Sequence, residues 1–374
     1  MTLRLLATLS RAVAPGLAAL GLAAATGALA QAAAPTSRAQ AQAIVRDARE
    51  IVAPRGLEQL EPVRIGGIEQ WISVRGKDRD NPILLFIHGG PASPEMPSSW
   101  YYQSPWEEYF TVVQWDQRGA GKTYLANDPA VVAPTINVER MIEDGEEMAS
   151  YLRRTYGKRK IFVVGHSWGT VIGLALAQRH PDWLHAYVGI GQFIDGQRNE
   201  RLSYDFALHE ARARHDAQAE ASLRAIAPYP AADGTVSMEQ LLTERTWVIH
   251  FGGLTRHRQT FDYAQDLALL SPDYTDADLG ADVGQLDSIA RLTPELMQAN
   301  YANVTDLACP VFIFAGVRDF ETPSEISAEW FSRLRAPHKE LVWFERSAHE
   351  MQLEEPGKVF QTLVTKVLPM ASRD

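Results

Sequence analysis

The chain has one cysteine in 374 residues, so no internal disulfide can form. Cys309 stands just before an apolar, strand-like run, and nothing around it marks an activated thiol; buried packing is its expected role. There is no basic excess. The formal charge of −10 argues against nucleic acid or an anionic membrane as the main partner. No apolar run reaches the ~20 residues that a membrane-spanning helix needs. No repeat or low-complexity tract follows the first 40 residues. Metal-ligand spacings and cofactor motifs are also missing. Gly119-Ala120-Gly121-Lys122-Thr123 imitates the end of a phosphate loop, but Asp116 stands where G-x-x-x-x-G-K-[ST] requires its first glycine. The expectation is therefore a protein without cofactor or metal, acting on a small molecule or short peptide.

What is present begins with an unusual N-terminus. Arg4 and Arg11 lead into 14 largely apolar residues, 12–25, and then into Gly27-Ala28-Leu29-Ala30. A charged region, a short apolar region and an A-x-A-like end make a secretory leader. Cleavage after Ala30 is expected, with Ala34 as the alternative, and places the mature protein in a periplasm or outside the cell. It would remove two arginines and no acids, leaving a charge of −12 and no stable membrane anchor.

Beyond residue 30 the composition, 46% hydrophobic and 22% charged, is that of a globular protein. Residues 31–55 read as a linker with a short helix. Apolar segments at 63–65 and 68–74 flank Gly66-Gly67, a hairpin signal. Strands are then expected at 83–87, 110–115, 161–164 and 186–190, with helices at 138–156 and 170–179. The alternation stops between 195 and 305, where helical periodicity dominates. It resumes with strands at 311–314 and 340–344, a helix near 324–335 and another from Pro356. Strand–helix alternation specifies an α/β class with a mostly parallel sheet between helices. The helical stretch reads as a cap inserted late in the sheet, over the strand ends where such folds bind ligands. The expected organisation is a core in two parts, 56–194 and 306–374, around a cap at 195–305.

Gly165-His166-Ser167-Trp168-Gly169 fits G-x-S-x-G and falls between an expected strand and an expected helix. That setting resembles the nucleophile elbow of the α/β-hydrolase fold, in which the serine projects from a sharp turn and glycines relieve the crowding. Ser167 is the expected nucleophile. An aspartate there would have indicated epoxide hydrolase or dehalogenase chemistry; serine indicates acyl transfer. His88-Gly89-Gly90-Pro91 follows the strand at 83–87, as an oxyanion loop does. Gly90 and Trp168 are the expected backbone donors, and His88 holds the loop. In this fold the acid and then the histidine follow the serine in the chain. Asp319 ends the strand run at 311–314, with Glu321 as the alternative acid. Of the two later histidines, His338 lies at the wrong end of its strand and His349 at the right one. His349 is the expected base. His166 reads as packing.

The loop 88–91, the segment Trp115-Asp116-Gln117-Arg118-Gly119-Ala120-Gly121-Lys122-Thr123 and the elbow through Thr170 together resemble the proline iminopeptidase-like, peptidase family S33-like branch of α/β-hydrolases. The resemblance runs from about residue 60 to the C-terminus and is weakest in the cap. It implies an aminopeptidase that releases an N-terminal residue, often proline, from short peptides. It also implies that Asp116, Gln117 and Arg118 shape the loop beside the site. Ala92 replaces the last glycine of the family's H-G-G-P-G, and His166 and Thr170 depart from its G-G-S-W-G-S. An aminopeptidase needs cap carboxylates for the substrate's ammonium. Glu200, Asp205 and Glu210 are available, beside the aromatics Trp247 and Phe251, but none lies in a motif that assigns it. A carboxylesterase or lactonase with the same triad is the alternative, and a non-catalytic binding protein of this fold the remote one.

Overall fold

Eight segments pair into one sheet: β1 (Leu57–Ile65), β2 (Ile68–Gly76), β3 (Ile83–Ile87), β4 (Thr111–Trp115), β5 (Ile161–His166), β6 (Leu184–Ile190), β7 (Val311–Gly316) and β8 (Lys339–Phe344). Their order is β1-β2-β4-β3-β5-β6-β7-β8. The first three pair antiparallel and the rest parallel. This computed structural model describes residues 34–280 and 284–373; the expected leader lies outside them. Residues 42–374 form one compact unit.

Strands β3, β4, β5 and β7 are buried along their whole length, because helices cover both faces of the sheet. One core layer packs Leu85, Val113 and Val163 against the helices Val138–Thr155 and Gly169–Arg179. The other packs Phe86, Phe162 and Phe312 beneath Trp106 and the C-terminal helices. β1 is longer than the expected 63–65. Its first six residues are mostly exposed on the sheet edge and include Pro62, so they carry no clean apolar alternation.

Between β6 and β7 the described residues hold five helices: α1 (Gly196–Ala213), α2 (Ala217–Ala225), α3 (Met238–His250), α4 (Asp262–Leu269) and α5 (Gln285–Gln298). Local chemistry starts three of them. Asp195 and Asp216 cap α1 and α2, and Ser237 with Gln240 forms a capping box on α3. The two ends of the insertion are tied together: Tyr301 N–H donates to Ile194 O at 2.7 Å and Asn300 Nδ2 to Asp195 Oδ2 at 2.7 Å. Trp247 and Phe251 pack within the insertion's own apolar cluster.

The segment after β4 is a set of struts. Arg118 pairs with buried Asp144 at 2.7 Å and donates to Gly66 O. Lys122, which imitates a phosphate-loop lysine, is held by Asp278 of the insertion at 2.6 Å. Asp116 accepts from Lys122 N–H at 2.8 Å and from the Tyr274 hydroxyl. Burial raises its pKa to about 7, against the opposing pull of those bonds.

Candidate active site

β3 lies between β4 and β5, so the connections leaving β3 and β5 part at their carboxyl ends and open a crevice there. The elbow sits in it. β5 ends at His166 and a helix begins at Gly169, leaving Ser167 to turn the chain at φ 53°. Such a backbone costs about 1–3 kcal/mol in a non-glycine residue. Ser167 is pinned by its N–H to Ile190 O at 2.9 Å and by Thr170, whose N–H and hydroxyl donate to its carbonyl. The flanking glycines are obligatory. A Cβ on Gly165 would lie 2.6 Å from Gly169 O, and one on Gly169 would lie 2.1 Å from Ile87 O.

His349 follows β8, and its Nδ1 lies 2.9 Å from Asp319 Oδ2. The Thr322 hydroxyl lies 3.1 Å from the same oxygen and 3.2 Å from Nδ1. Asp319 Oδ1 accepts the N–H groups of Glu321 and Thr322 at 3.1 and 2.8 Å, which fixes the carboxylate plane. Glu321, the alternative acid, points elsewhere, to Arg245 Nε at 2.6 Å. Ser167 and His349 line the same cavity.

Gly90 (φ 110°) and Trp168 line the cavity with Ser167. Among the described residues neither backbone N–H has an acceptor, so both remain available to an oxyanion. Gln117 couples the two sides: it donates to His88 O at 2.8 Å and accepts Trp168 Nε1–H at 3.0 Å. His88 Nδ1 lies 2.8 Å from Gly89 O, and its Nε2 accepts Gln117 N–H at 3.2 Å. Burial lowers its pKa to about 4, so it stays neutral and structural. Ala92, where the family has glycine, sits at φ 55°.

His166 departs from its sequence reading. Expected as packing, it is buried but also lines the cavity. Its ring lies 4.8 Å from that of His349, and its Nδ1 lies 2.6 Å from Glu95 Oε1. Burial alone would lower its pKa, but Glu95 and Glu350 outweigh that and raise it to about 9. Burial raises Glu350 to about 7.

Across the cavity lies a second charged cluster. Arg245 of α3 bonds Glu200 at 2.5 Å, Glu321 at 2.6 Å and also Glu244. Glu200 accepts the Tyr229 hydroxyl, and Glu244 accepts Ser203 Oγ at 2.6 Å. Burial raises Glu244 to about 8, against the pull of Arg245. Glu321 Oε2 is buried without a hydrogen-bond partner. Of the three cap carboxylates singled out in the sequence, only Glu200 lines the cavity. Asp205 is exposed, and Glu210 pairs with Arg214 and Arg318. Glu244, Arg245 and the inward role of Glu321 carry no sequence signal; only the packing of α3 against the loop after β7 brings them together. The cavity measures about 440 Å³, and its remaining wall is largely apolar, with Leu241, Ile249, Phe261, Ile289, Leu296 and Met297.

A serine on an elbow, an acid-linked histidine and free backbone donors define a serine hydrolase of the α/β-hydrolase fold. The alpha/beta hydrolase family model matches residues 84–362. A probable aminopeptidase, YbaC of Bacillus subtilis (strain 168), is 30% identical over 307 residues, covering 81% of this chain and 94% of its own. The proline iminopeptidase of Neisseria gonorrhoeae is 31% identical over 132 residues, covering 35% of this chain and 39% of its own. The crystal structure of a Mycobacterium smegmatis proline iminopeptidase shares the fold, with TM-score 0.56 and 19% identity over 84% of this chain and all of the other. The chain belongs to the proline iminopeptidase-like branch of the alpha/beta hydrolase family.

Proposed function

We propose that this enzyme is an exported aminopeptidase of the proline iminopeptidase type, working through an acyl-enzyme. Ser167 Oγ attacks the carbonyl of the N-terminal residue while His349 takes its proton. Asp319 holds the imidazole with Nδ1 protonated and stabilises the imidazolium. The N–H groups of Gly90 and Trp168 receive the oxyanion, a contribution of several kcal/mol in a site closed to water. His349 then protonates the leaving amine, and water releases the acyl group by the same steps in reverse. Export rests on the leader at 1–30; an N-terminus at Gln31 in protein recovered outside the cytoplasm tests it.

The observation that carries the aminopeptidase reading is the charge count opposite Ser167. Three carboxylates surround one guanidinium. With Glu244 raised to about 8 and so protonated near neutrality, Glu200 and Glu321 still outnumber Arg245 by one negative charge. A substrate ammonium supplies that missing charge, and Glu321 Oε2 is a buried acceptor without a donor. The similarity to YbaC supports the same reading. The apolar wall favours a second one, an esterase or lactonase for uncharged acyl groups. Pro-, Ala- and Leu-anilides assayed beside short-chain p-nitrophenyl esters separate them. Anilide turnover is expected, with Glu321→Gln raising KM for anilides more than for esters. Ester turnover alone removes the peptidase reading. Labelling by a fluorophosphonate that persists in Ser167→Ala overturns the nucleophile.

A further inference from the structure

Three side chains from separate parts of the chain meet beside the triad: Glu95 from the loop after β3, His166 from the elbow and Glu350 from the residue after His349. One donor atom from each lies within 4.8 Å of the others. His166 and Glu350 are buried and Glu95 nearly so, yet all three line the cavity.

Each offers one donor because its other polar atom is already held. Glu95 Oε2 accepts from the Tyr102 hydroxyl at 2.8 Å and from Gln352 Nε2 at 3.2 Å. Glu350 Oε2 accepts from Gln352 Nε2 at 2.8 Å. His166 Nε2 lies 3.3 Å from His349 O, the partner to which it donates. That bond leaves Nδ1 as the ring nitrogen that faces the carboxylates. Glu95 Oε1 is 2.6 Å from it, an ion-pair contact without the geometry of a hydrogen bond. The oxygen therefore lies off the ring's N–H direction, and a proton on Nδ1 meets it at a poor angle. A cation that displaces the Nδ1 proton would be held by both atoms, with a third carboxylate beside them, through coordination that needs no N–H direction.

We infer that Glu95, His166 and Glu350 bind a divalent transition-metal ion inside the active-site cavity, through Glu95 Oε1, His166 Nδ1 and the Glu350 carboxylate. One imidazole and two carboxylates form a donor set suited to Zn²⁺. A ligand histidine whose other nitrogen donates to a backbone carbonyl, and ligand carboxylates held by neighbouring donors, are the outer contacts that such sites use. Three protein ligands leave a coordination position for water, and the cavity supplies the entry path. The inference does not depend on whether the substrate is a peptide or an ester.

The test uses the full chain, freed of metal by a chelator and titrated calorimetrically with Zn²⁺. One saturable site per chain is expected. Glu350→Gln and Glu95→Gln should each weaken it at least tenfold, while His180→Ala, at a surface histidine paired with Glu146, binds as the parent does. Co²⁺ gives a second readout: a visible absorption band in the parent protein that is lost or shifted in Glu350→Gln. Circular dichroism checks that the variants fold. If they do not, the parent's Co²⁺ spectrum decides, and absence of a band from a nitrogen-ligated ion overturns the inference. So does absence of a one-to-one site, a site that both carboxamides leave intact, or one lost in His180→Ala, which would mark adventitious binding at the surface.

Discussion

Replacing Asp319 by asparagine should cost more activity than deleting its carboxylate, and the geometry says why. Oδ1 accepts two backbone N–H groups, from Glu321 and Thr322. An asparagine must keep its carbonyl oxygen there, because turning its amide would set N–H against N–H twice. The NH₂ group is then forced into the Oδ2 position, 2.9 Å from His349 Nδ1. Thr322 Oγ1, 3.1 Å from that position, can accept the second amide hydrogen and locks the orientation. Facing a donor, His349 takes the tautomer with Nδ1 bare and Nε2 protonated, and can no longer accept the serine's proton. The loss should approach ~10⁴ in kcat, the size seen when this tautomer is imposed on a triad. That corresponds to about 5 kcal/mol of barrier. In Asp319→Ala the Thr322 hydroxyl, 3.2 Å from Nδ1, is free to accept Nδ1–H, so more activity should remain. Steady-state hydrolysis of p-nitrophenyl acetate by both variants, with circular dichroism as a folding check, measures the order. An Asp319→Asn enzyme within tenfold of the parent, or as active as Asp319→Ala, refutes the reasoning. So would Glu321→Gln reproducing the asparagine's loss of ester turnover.

Three further outcomes follow from the same structure. Glu244 has a folded pKa raised to about 8 from 4.5, so the stability it contributes is present below 4.5 and is lost as pH rises towards 8. Glu244→Gln should therefore flatten the fall in unfolding free energy between pH 5 and pH 8, measured by urea denaturation. Ala92→Gly should raise the unfolding free energy by up to about 1 kcal/mol. Relief of the φ 55° backbone outweighs the entropy that glycine adds to the unfolded chain. A lower urea midpoint would contradict this. Gly169→Ala should cost on the order of 3 kcal/mol or more and abolish fluorophosphonate labelling. Its Cβ would lie 2.1 Å from the backbone oxygen of Ile87, which cannot swing aside as a side chain can.

The readable parts of the site are those whose chemistry is local in the chain. The elbow is a strand, five residues and a helix, and Gly165 and Gly169 are required by contacts of the turn itself and of the adjoining strand. Asp319 and His349 each follow a strand end closely, so strand order pointed to them, with Glu321 left as the alternative acid. The edge residues 57–62 were missed because an exposed strand with a proline carries no alternation. His166 was misread because adjacency along the chain says little about direction once the backbone turns at φ 53°.

By itself, then, the sequence determined the α/β class, the elbow at Ser167, the glycine loop at 88–91 and the order of acid and base. All of these depend on local periodicity and on residues a few positions apart. Only the tertiary structure decided what faces Ser167. Arg245 is surrounded by Glu200, Glu244 and Glu321 because α1, α3 and the loop after β7 converge, and His166 meets Glu95 and Glu350 because three strand-end loops share one crevice. Contacts between residues so far apart in the chain are set by helix packing, which no short pattern of residues encodes.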